Sequence, residues 1–246
     1  MKRLVVLLVI GALVATGMTS GAIAGITENF NYPNGNLTTV SGAAWQLWAP
    51  GAGDATVTGG VAGINPPTDV ARLFPNELQA IGSVVNFSFD VRVTTAGSVA
   101  GDYQVFFSPA TLPLSTGQDY PNSLGFSFDW GNAGAGLSNV GVWAGGTGGP
   151  VTVATMTAGA FHTISGTMTK NAATISYTLL VDGVPVSAGN SAHTNPLGIN
   201  CFEMYNQLGT GVTGGFELDN LVLTPEPSTM SLLAIAGLIA IRRRRS

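Results

Sequence analysis

Val85, Phe87, Phe89, Val91 and Val93 are apolar, and the residues between them, Asn86, Ser88, Asp90 and Arg92, are polar, as is Thr94. Such alternation belongs to an extended strand, because successive side chains leave the pleat on opposite sides. A strand with one dry face and one wet face needs a second layer to cover the dry side. The same period returns at Leu124, Phe126, Phe128 and Trp130, and again at Ala173, Ile175, Tyr177, Leu179 and Val181. Phe216, Leu218, Asn220 and Val222 follow it less regularly. Further short strands are expected around 44–49, 55–64, 69–74, 102–108, 151–155, 161–170 and 199–206, with one short helix around 76–80.

The connections carry turn chemistry. Lys170-Asn171-Ala172 is expected to close one hairpin, and Asp182-Gly183 another of type I′, where both central residues need positive φ. The glycine-rich stretch from Trp130 to Pro150 reads as a long connection holding a single strand near Val140 to Ala144. Charged residues are 9% of the chain and glycines number 34. The strong helix formers Glu, Lys and Arg are nearly missing, which disfavours a helical protein and suits many strands joined by tight turns. The predicted architecture is all-β, a two-sheet antiparallel sandwich.

The formal net charge of −4 conceals an asymmetry. Lys2 and Arg3 lie at one end and Arg242, Arg243, Arg244 and Arg245 at the other. Between residues 25 and 224 the only basic residues are Arg72, Arg92 and Lys170. Twelve acidic residues against them leave that body at about −9, which argues against nucleic acid and anionic lipid as partners, although an acidic surface also simply keeps a protein soluble. The single cysteine, Cys201, has no disulfide partner and no company for a zinc site, and in INCFEMYN it reads as a small buried hydrophobe.

The ends read as addresses. MKRLVVLLVIGALVATGMTSGAIAG has a basic start, an apolar stretch and small residues at Ala22-Ile23-Ala24, the pattern of a signal peptide cleaved before Gly25. Signal peptidase is thus the first expected partner, and residues 1–24 are assigned to the leader, 25–223 to the body and 224–246 to the tail. In the tail, the apolar run from Met230 to Ile241 would make a helix of about 18 Å, against a hydrocarbon core of about 30 Å. Arg242 to Arg245 would keep the tip on the cytoplasmic side.

Pro225-Glu226-Pro227, then the short apolar helix, then the arginine cluster, resembles the PEP-CTERM sorting signal of Gram-negative bacteria. That resemblance implies a membrane-embedded exosortase as a second partner, with Pro225, Glu226 and Pro227 as its recognition element. It also implies transient anchoring in the inner membrane, delivery to the cell surface or matrix, and an association with exopolysaccharide. The body resembles a concanavalin A-like, laminin-G-like jelly roll. The likeness rests on FNYPNGNLTTVSGAAWQLWAPGAGDATVTGGVAGI, on FHTISGTMTKNAATISYTLLVDGVPV, and on GGFELDNLVLTPEP as a closing strand that returns beside the first.

Chemistry is harder to find. His162 and His193 are the only histidines, in no zinc-binding spacing, and G-x-S-x-G is absent. Glu217 and Asp219 alternate onto one face in FELDNL, but Leu221 stands where a third acid would complete the E-x-D-x-E of glycosidases with this fold; solvent-facing positions on an edge strand are the plainer reading. Glu203 stands alone. Calcium, which relatives of this fold hold with loop oxygens, would have to use Asp119, Asn122, Asp129 and Asn132; no other metal or cofactor is expected. A sugar site would use exposed rings. Trp45 and Trp48 should point to opposite faces, while Trp130, Tyr103 and Tyr205 default to packing. Trp143 and Tyr120 are the candidate glycan contacts. The combined expectation is an exported, non-enzymatic surface or matrix protein associated with glycan. The alternatives are a glycoside hydrolase of concanavalin A-like fold and a display protein without a ligand.

Overall fold

The computed structural model describes residues 25–226 except 49–51, 66, 79, 95–101, 111–119, 129–133, 146–148, 196–197 and 208–213. The strands in chain order are β1 (Ile26–Glu28), β2 (Gly35–Asn36), β3 (Gln46–Leu47), β4 (Thr56–Thr58), β5 (Val61–Ile64) and β6 (Thr68–Leu78). Next come β7 (Val84–Val93), β8 (Asp102–Ser108), β9 (Leu124–Phe128), β10 (Leu137–Ala144) and β11 (Val151–Thr157). The last are β12 (His162–Lys170), β13 (Thr174–Val181), β14 (Val184–Ala192), β15 (Ile199–Gln207) and β16 (Phe216–Pro225). A short helix α1 (Leu37–Val40) follows β2, and a 3-10 turn spans Tyr120–Asn122.

The strands form two antiparallel sheets, as the alternation requires. One has nine strands, ordered β14-β13-β12-β7-β16-β5-β4-β2, with β1 also paired to β16. The other has seven, ordered β11-β10-β9-β8-β15-β6-β3. In β7 every second residue from Val85 to Val93 is buried and the others are half-buried. Its inward rings meet rings from the other sheet: Phe87 lies 5.2 Å from Phe107 and 5.3 Å from Phe126, and Phe89 lies 5.9 Å from Phe202. Burying one such side chain contributes roughly 1.5–3 kcal/mol, so this aromatic layer is the main glue between the sheets. β14 is the outer strand on one side, joined to β13 by the predicted turn; Asp182 and Gly183 both have positive φ, 50° and 77°.

Three local expectations change. Residues 76–78 continue β6 and are not helical; Leu73 is across from Cys201 and Leu78 from Ile199, so β6 carries extra residues that bulge out of the ladder. β16 lies between β7 and β5 and is not an edge strand. It also contains a bulge between Asp219 and Val222, with Asn220 at φ 50°. An inserted residue reverses the facing of everything after it. Phe216 and Leu218 are therefore followed inward by Leu221 and Leu223, while Asn220 is exposed. Trp45 and Trp48 do point to opposite faces, and both are packed as their default reading has it: Trp45 lies between the sheets, and Trp48 packs with Ala71, Ala110 and Cys201 on the far side of the seven-stranded sheet.

Between the sheets sits one carboxylate with four donors. Glu28 is 4% exposed. Its Oε1 accepts from the Phe30 main-chain N–H at 2.9 Å, and its Oε2 accepts from the Tyr32 hydroxyl at 2.8 Å and from Trp45 Nε1 at 3.2 Å. The Arg72 guanidinium also binds Oε2. Burial first, and then the Glu28 carboxylate, push the Tyr32 phenol up to about 12.

Ile26 pairs with Leu223 and Glu28 with Leu221, so the closing strand does return beside the first. Gly25 is exposed at that corner, and a side chain there would meet the Leu223 carbonyl. Pro225 is the last residue of β16, across from Val85. The Glu226 main chain donates to the Val84 carbonyl at 2.9 Å, and its Oε1 accepts from Asn86 Nδ2 at 3.1 Å. Ala22, Ala24, Pro227 and Arg242 to Arg245, with the leader and the tail helix, lie outside the described residues. No helix among the described residues is long and apolar enough to cross a membrane.

Candidate functional site

The outer faces of the two sheets differ. The nine-stranded sheet presents half-buried hydroxyls, amides and charges that are bonded to one another. Thr163 Oγ1 donates to Asp90 at 2.7 Å, and Asn220 Nδ2 donates to the other Asp90 oxygen at 2.8 Å. Arg92 Nε donates to Glu217 at 2.6 Å, and the guanidinium stacks over Phe161, 4.6 Å from the ring centroid. Glu217 and Asp219 share this face, as their spacing predicts. Glu217 is held by a guanidinium, and Asp219, whose carboxyl is raised by burial and by Asp90, hydrogen-bonds the Asn220 N–H. They are therefore not an acid–base pair facing a substrate.

His162 begins β12 and closes a chain of hydrogen bonds. Its Nδ1 is 2.7 Å from Asp182 Oδ2 and its Nε2 is 2.9 Å from Thr157 Oγ1. The bond to His162 lowers the Asp182 carboxyl below its usual range. Nε2 also lies 3.1 Å from the main-chain oxygen of Thr157. Both ring nitrogens are thus engaged, and the arrangement ties the β11–β12 crossover to the β13–β14 turn. His193 is fully buried, its Nδ1 donating to the Asn122 carbonyl at 2.6 Å. Asn122 Oδ1 accepts from the main-chain N–H groups of Thr194 and Asn195, so this proposed calcium ligand is taken up by the loop. Asp119, Asp129, Trp130 and Asn132 lie outside the described residues. Among the described residues no three His, Cys, Asp or Glu side chains are grouped to hold a metal.

The seven-stranded sheet carries a different outer face. Register aligns Asp69, Tyr205, Gln104, Ser127 and Gly141 side by side across β6, β15, β8, β9 and β10. The adjacent row is Ala71, Glu203, Phe106, Gly125 and Trp143. Gly125 is required where it stands: any side chain there would run into the Phe106 ring. Phe106 packs edge-to-face with Trp143, centroids 6.5 Å apart. Trp143 is accordingly a half-buried strand residue and not a loop tip, Tyr205 is half-buried beside Asp69, and Tyr103 faces the core against Phe216. Tyr120 lies in the 3-10 turn.

Asp69 and Glu203 form a carboxyl pair here. Burial pushes Asp69 up to about 6, offset in part by its hydrogen bond to Glu203. Glu203 is fully buried, and Asp69, half-buried, is the more exposed member of the pair. Cys201, on the same face of β15, has its thiol raised well above the ordinary range by burial and then by these two acids. Asp69 Oδ1 and Trp48 Nε1 are among the polar atoms buried in this corner without a hydrogen-bond partner. In the sequence Glu203 stands alone and nothing singles out Asp69, because only the pairing of β6 with β15 brings them together.

No family model and no curated protein matches the chain. Solved structures do. An alginate lyase, Aly36B, superposes with TM-score 0.54 at 13% identity, over 83% of this chain and 98% of the lyase. An endo-1,3-β-glucanase from Streptomyces sioyaensis gives TM-score 0.54 at 11% identity, over 83% and 97%. The carbohydrate recognition domain of Emp46p gives 0.51 at 11%, over 80% and 95%. At these identities the likeness establishes the fold, a lectin-like and glucanase-like jelly roll. The expectation of a non-enzymatic body is overturned: two of these three sandwiches belong to enzymes, so the architecture does not separate binding from catalysis.

Proposed function

We propose that the body is a carbohydrate-active module that engages polysaccharide at the outer face of its seven-stranded sheet, with glycoside hydrolysis as its reaction. The observation that carries this reading is the Asp69–Glu203 pair beside Tyr205, in a sandwich shared with carbohydrate-handling proteins. A glycosidic oxygen leaves as an alcohol only if it is protonated, and a carboxyl that keeps its proton toward neutral pH can supply it. Asp69 is the more exposed donor and Glu203 positions it. The two share a hydrogen bond, closer than the roughly 5 Å or more between the carboxyls of two-carboxylate hydrolysis. They act together as one acid: the proton given to the leaving oxygen is returned to the Asp69 carboxylate by the water that adds to the glycosyl cation.

The test is release of reducing ends from a panel of polysaccharides by the purified full-length protein. Asp69→Asn, which cannot give up a proton, is expected to lower the rate by about 10²-fold. The wild-type rate should fall as pH rises through about 6, as Asp69 loses the proton it donates. Absence of release from every polysaccharide in the panel defeats the hydrolase reading.

We propose further that the protein is exported, trimmed by signal peptidase before Gly25, and sorted through its PEP-CTERM-like tail by an exosortase-type enzyme. The leader pattern and the ordered Pro225-Glu226-Pro227, apolar and arginine segments support this address. Mass analysis of surface material from the native host should then find no peptide beyond about Pro227. Recovery of intact RRRRS from that material would count against the sorting step.

A further inference from the structure

Resting on the glycan-engaging face proposed above, we infer that its ligand is an uncharged polysaccharide and not a polyuronate or other polyanion. Every cation of the body lies elsewhere. Residues 25–226 contain three basic side chains, and none lies on the outer face of the seven-stranded sheet. Arg72 binds Glu28 between the sheets. Arg92 is on the outer face of the opposite sheet, held by Glu217 and stacked on Phe161. Lys170 is 5% exposed, its ammonium donating to the His193 carbonyl at 3.1 Å. The two histidines are likewise engaged elsewhere, His162 with Asp182 and Thr157 and His193 with Asn122. The segments of the body outside the described residues contain no lysine, arginine or histidine, so no loop can bring one in.

A polyuronate carries a carboxylate on every sugar, and proteins recognise such groups with guanidinium forks or ammonium groups. This face offers the carboxyls of Asp69 and Glu203 instead, and no cation to pair with a uronate. Its incomplete hydrogen bonds ask for something else. Asp69 Oδ1 is an acceptor without a donor, and Trp48 Nε1, on a side chain 3% exposed in the cluster with Ala71 and Cys201, is a donor without an acceptor. A sugar hydroxyl both donates and accepts, so it suits the half-buried Asp69 carboxyl, whereas the Trp48 ring nitrogen lies beneath the surface. Tyr205 supplies ring surface next to them. The ligand that fits is a neutral glycan presenting hydroxyls.

The experiment uses the full-length protein in mild detergent, with Arg242 to Arg245 all replaced by serine so that the tail cannot bind polyanions. Retention is measured on an insoluble β-1,3-glucan and on cellulose, against calcium-free alginate and polygalacturonate gels, at low and at physiological salt. The expected result is retention on at least one neutral glycan with at least tenfold tighter binding than on either polyanion, a difference of 1.4 kcal/mol. Tyr205→Ala and, independently, Asp69→Asn should each weaken the neutral binding. Equal or tighter retention on a polyuronate overturns the inference and leaves the glycan-engaging reading standing. Retention on nothing overturns both.

Discussion

Replacing Glu28 with alanine is expected to lower the unfolding free energy by about 3–5 kcal/mol, the usual cost of removing one member of a buried charged pair. For a body of this size that corresponds to a fall in melting temperature of about 10 °C. The reason is what the substitution leaves behind: the Arg72 guanidinium loses its counterion, and the Tyr32 hydroxyl and Trp45 Nε1 lose their acceptor inside the sandwich. Desolvated donors without acceptors cost more than the bonds were worth. Glu28→Gln keeps the volume and an acceptor and should lose less. A second readout is independent of stability. Tyr32 is held near 12 by burial and then by Glu28, so its absorbance titration should move back toward 10 in Glu28→Ala. A loss of stability under about 1 kcal/mol would mean that water replaces the carboxylate, and the keystone role would fall.

Phe89→Ala should cost a similar amount, about 3–5 kcal/mol, because the cavity cannot collapse. Phe89 is fully buried, and its ring faces four others, those of Phe87, Phe126, Phe128 and Phe202, with centroids 5.9–6.5 Å away. Two of these strands lie next to neither β7 nor each other, so the hole would open across the interface of both sheets. Ser88→Ala, one residue back on the same strand, should change stability by less than about 0.5 kcal/mol, because its side chain faces out. Urea denaturation of the three proteins measures both effects; comparable losses at 88 and 89 would contradict the facing of β7.

The sandwich was legible because its signal is local. The alternation in β7 and the Asp182-Gly183 turn each sit within a few residues, and both are found where the pattern puts them. β16 departs from its alternation past Asp219 because a one-residue bulge has no signature in FELDNLVL beyond a hydrophobic pair displaced by one. The candidate site was illegible for a different reason. Asp69 and Glu203 meet only through the register of β6 on β15, and neither TDVARL nor CFEMYN marks its acid as paired. Glu28 is illegible in the same way: in ITENF it stands between the polar Thr27 and Asn29, and only the convergence of Trp45 and Arg72 makes it internal. Burial of charge is decided by tertiary neighbours, so a local pattern cannot announce it.

The pairing of Ile26 with Leu223 sets the timing of assembly. A ribosome makes the first strand early and its partner last, so β1 waits unpaired through nearly the whole of synthesis. β16 is also the piece between β7 and β5, and until it arrives the nine-stranded sheet is two fragments with open edges. Contacts so distant in sequence close slowly and leave incomplete chains exposed to aggregation and proteolysis. The ten residues of β16 therefore act as the fold's completion signal. A nascent chain stopped short of them has made nearly all of its core and still has not sealed it.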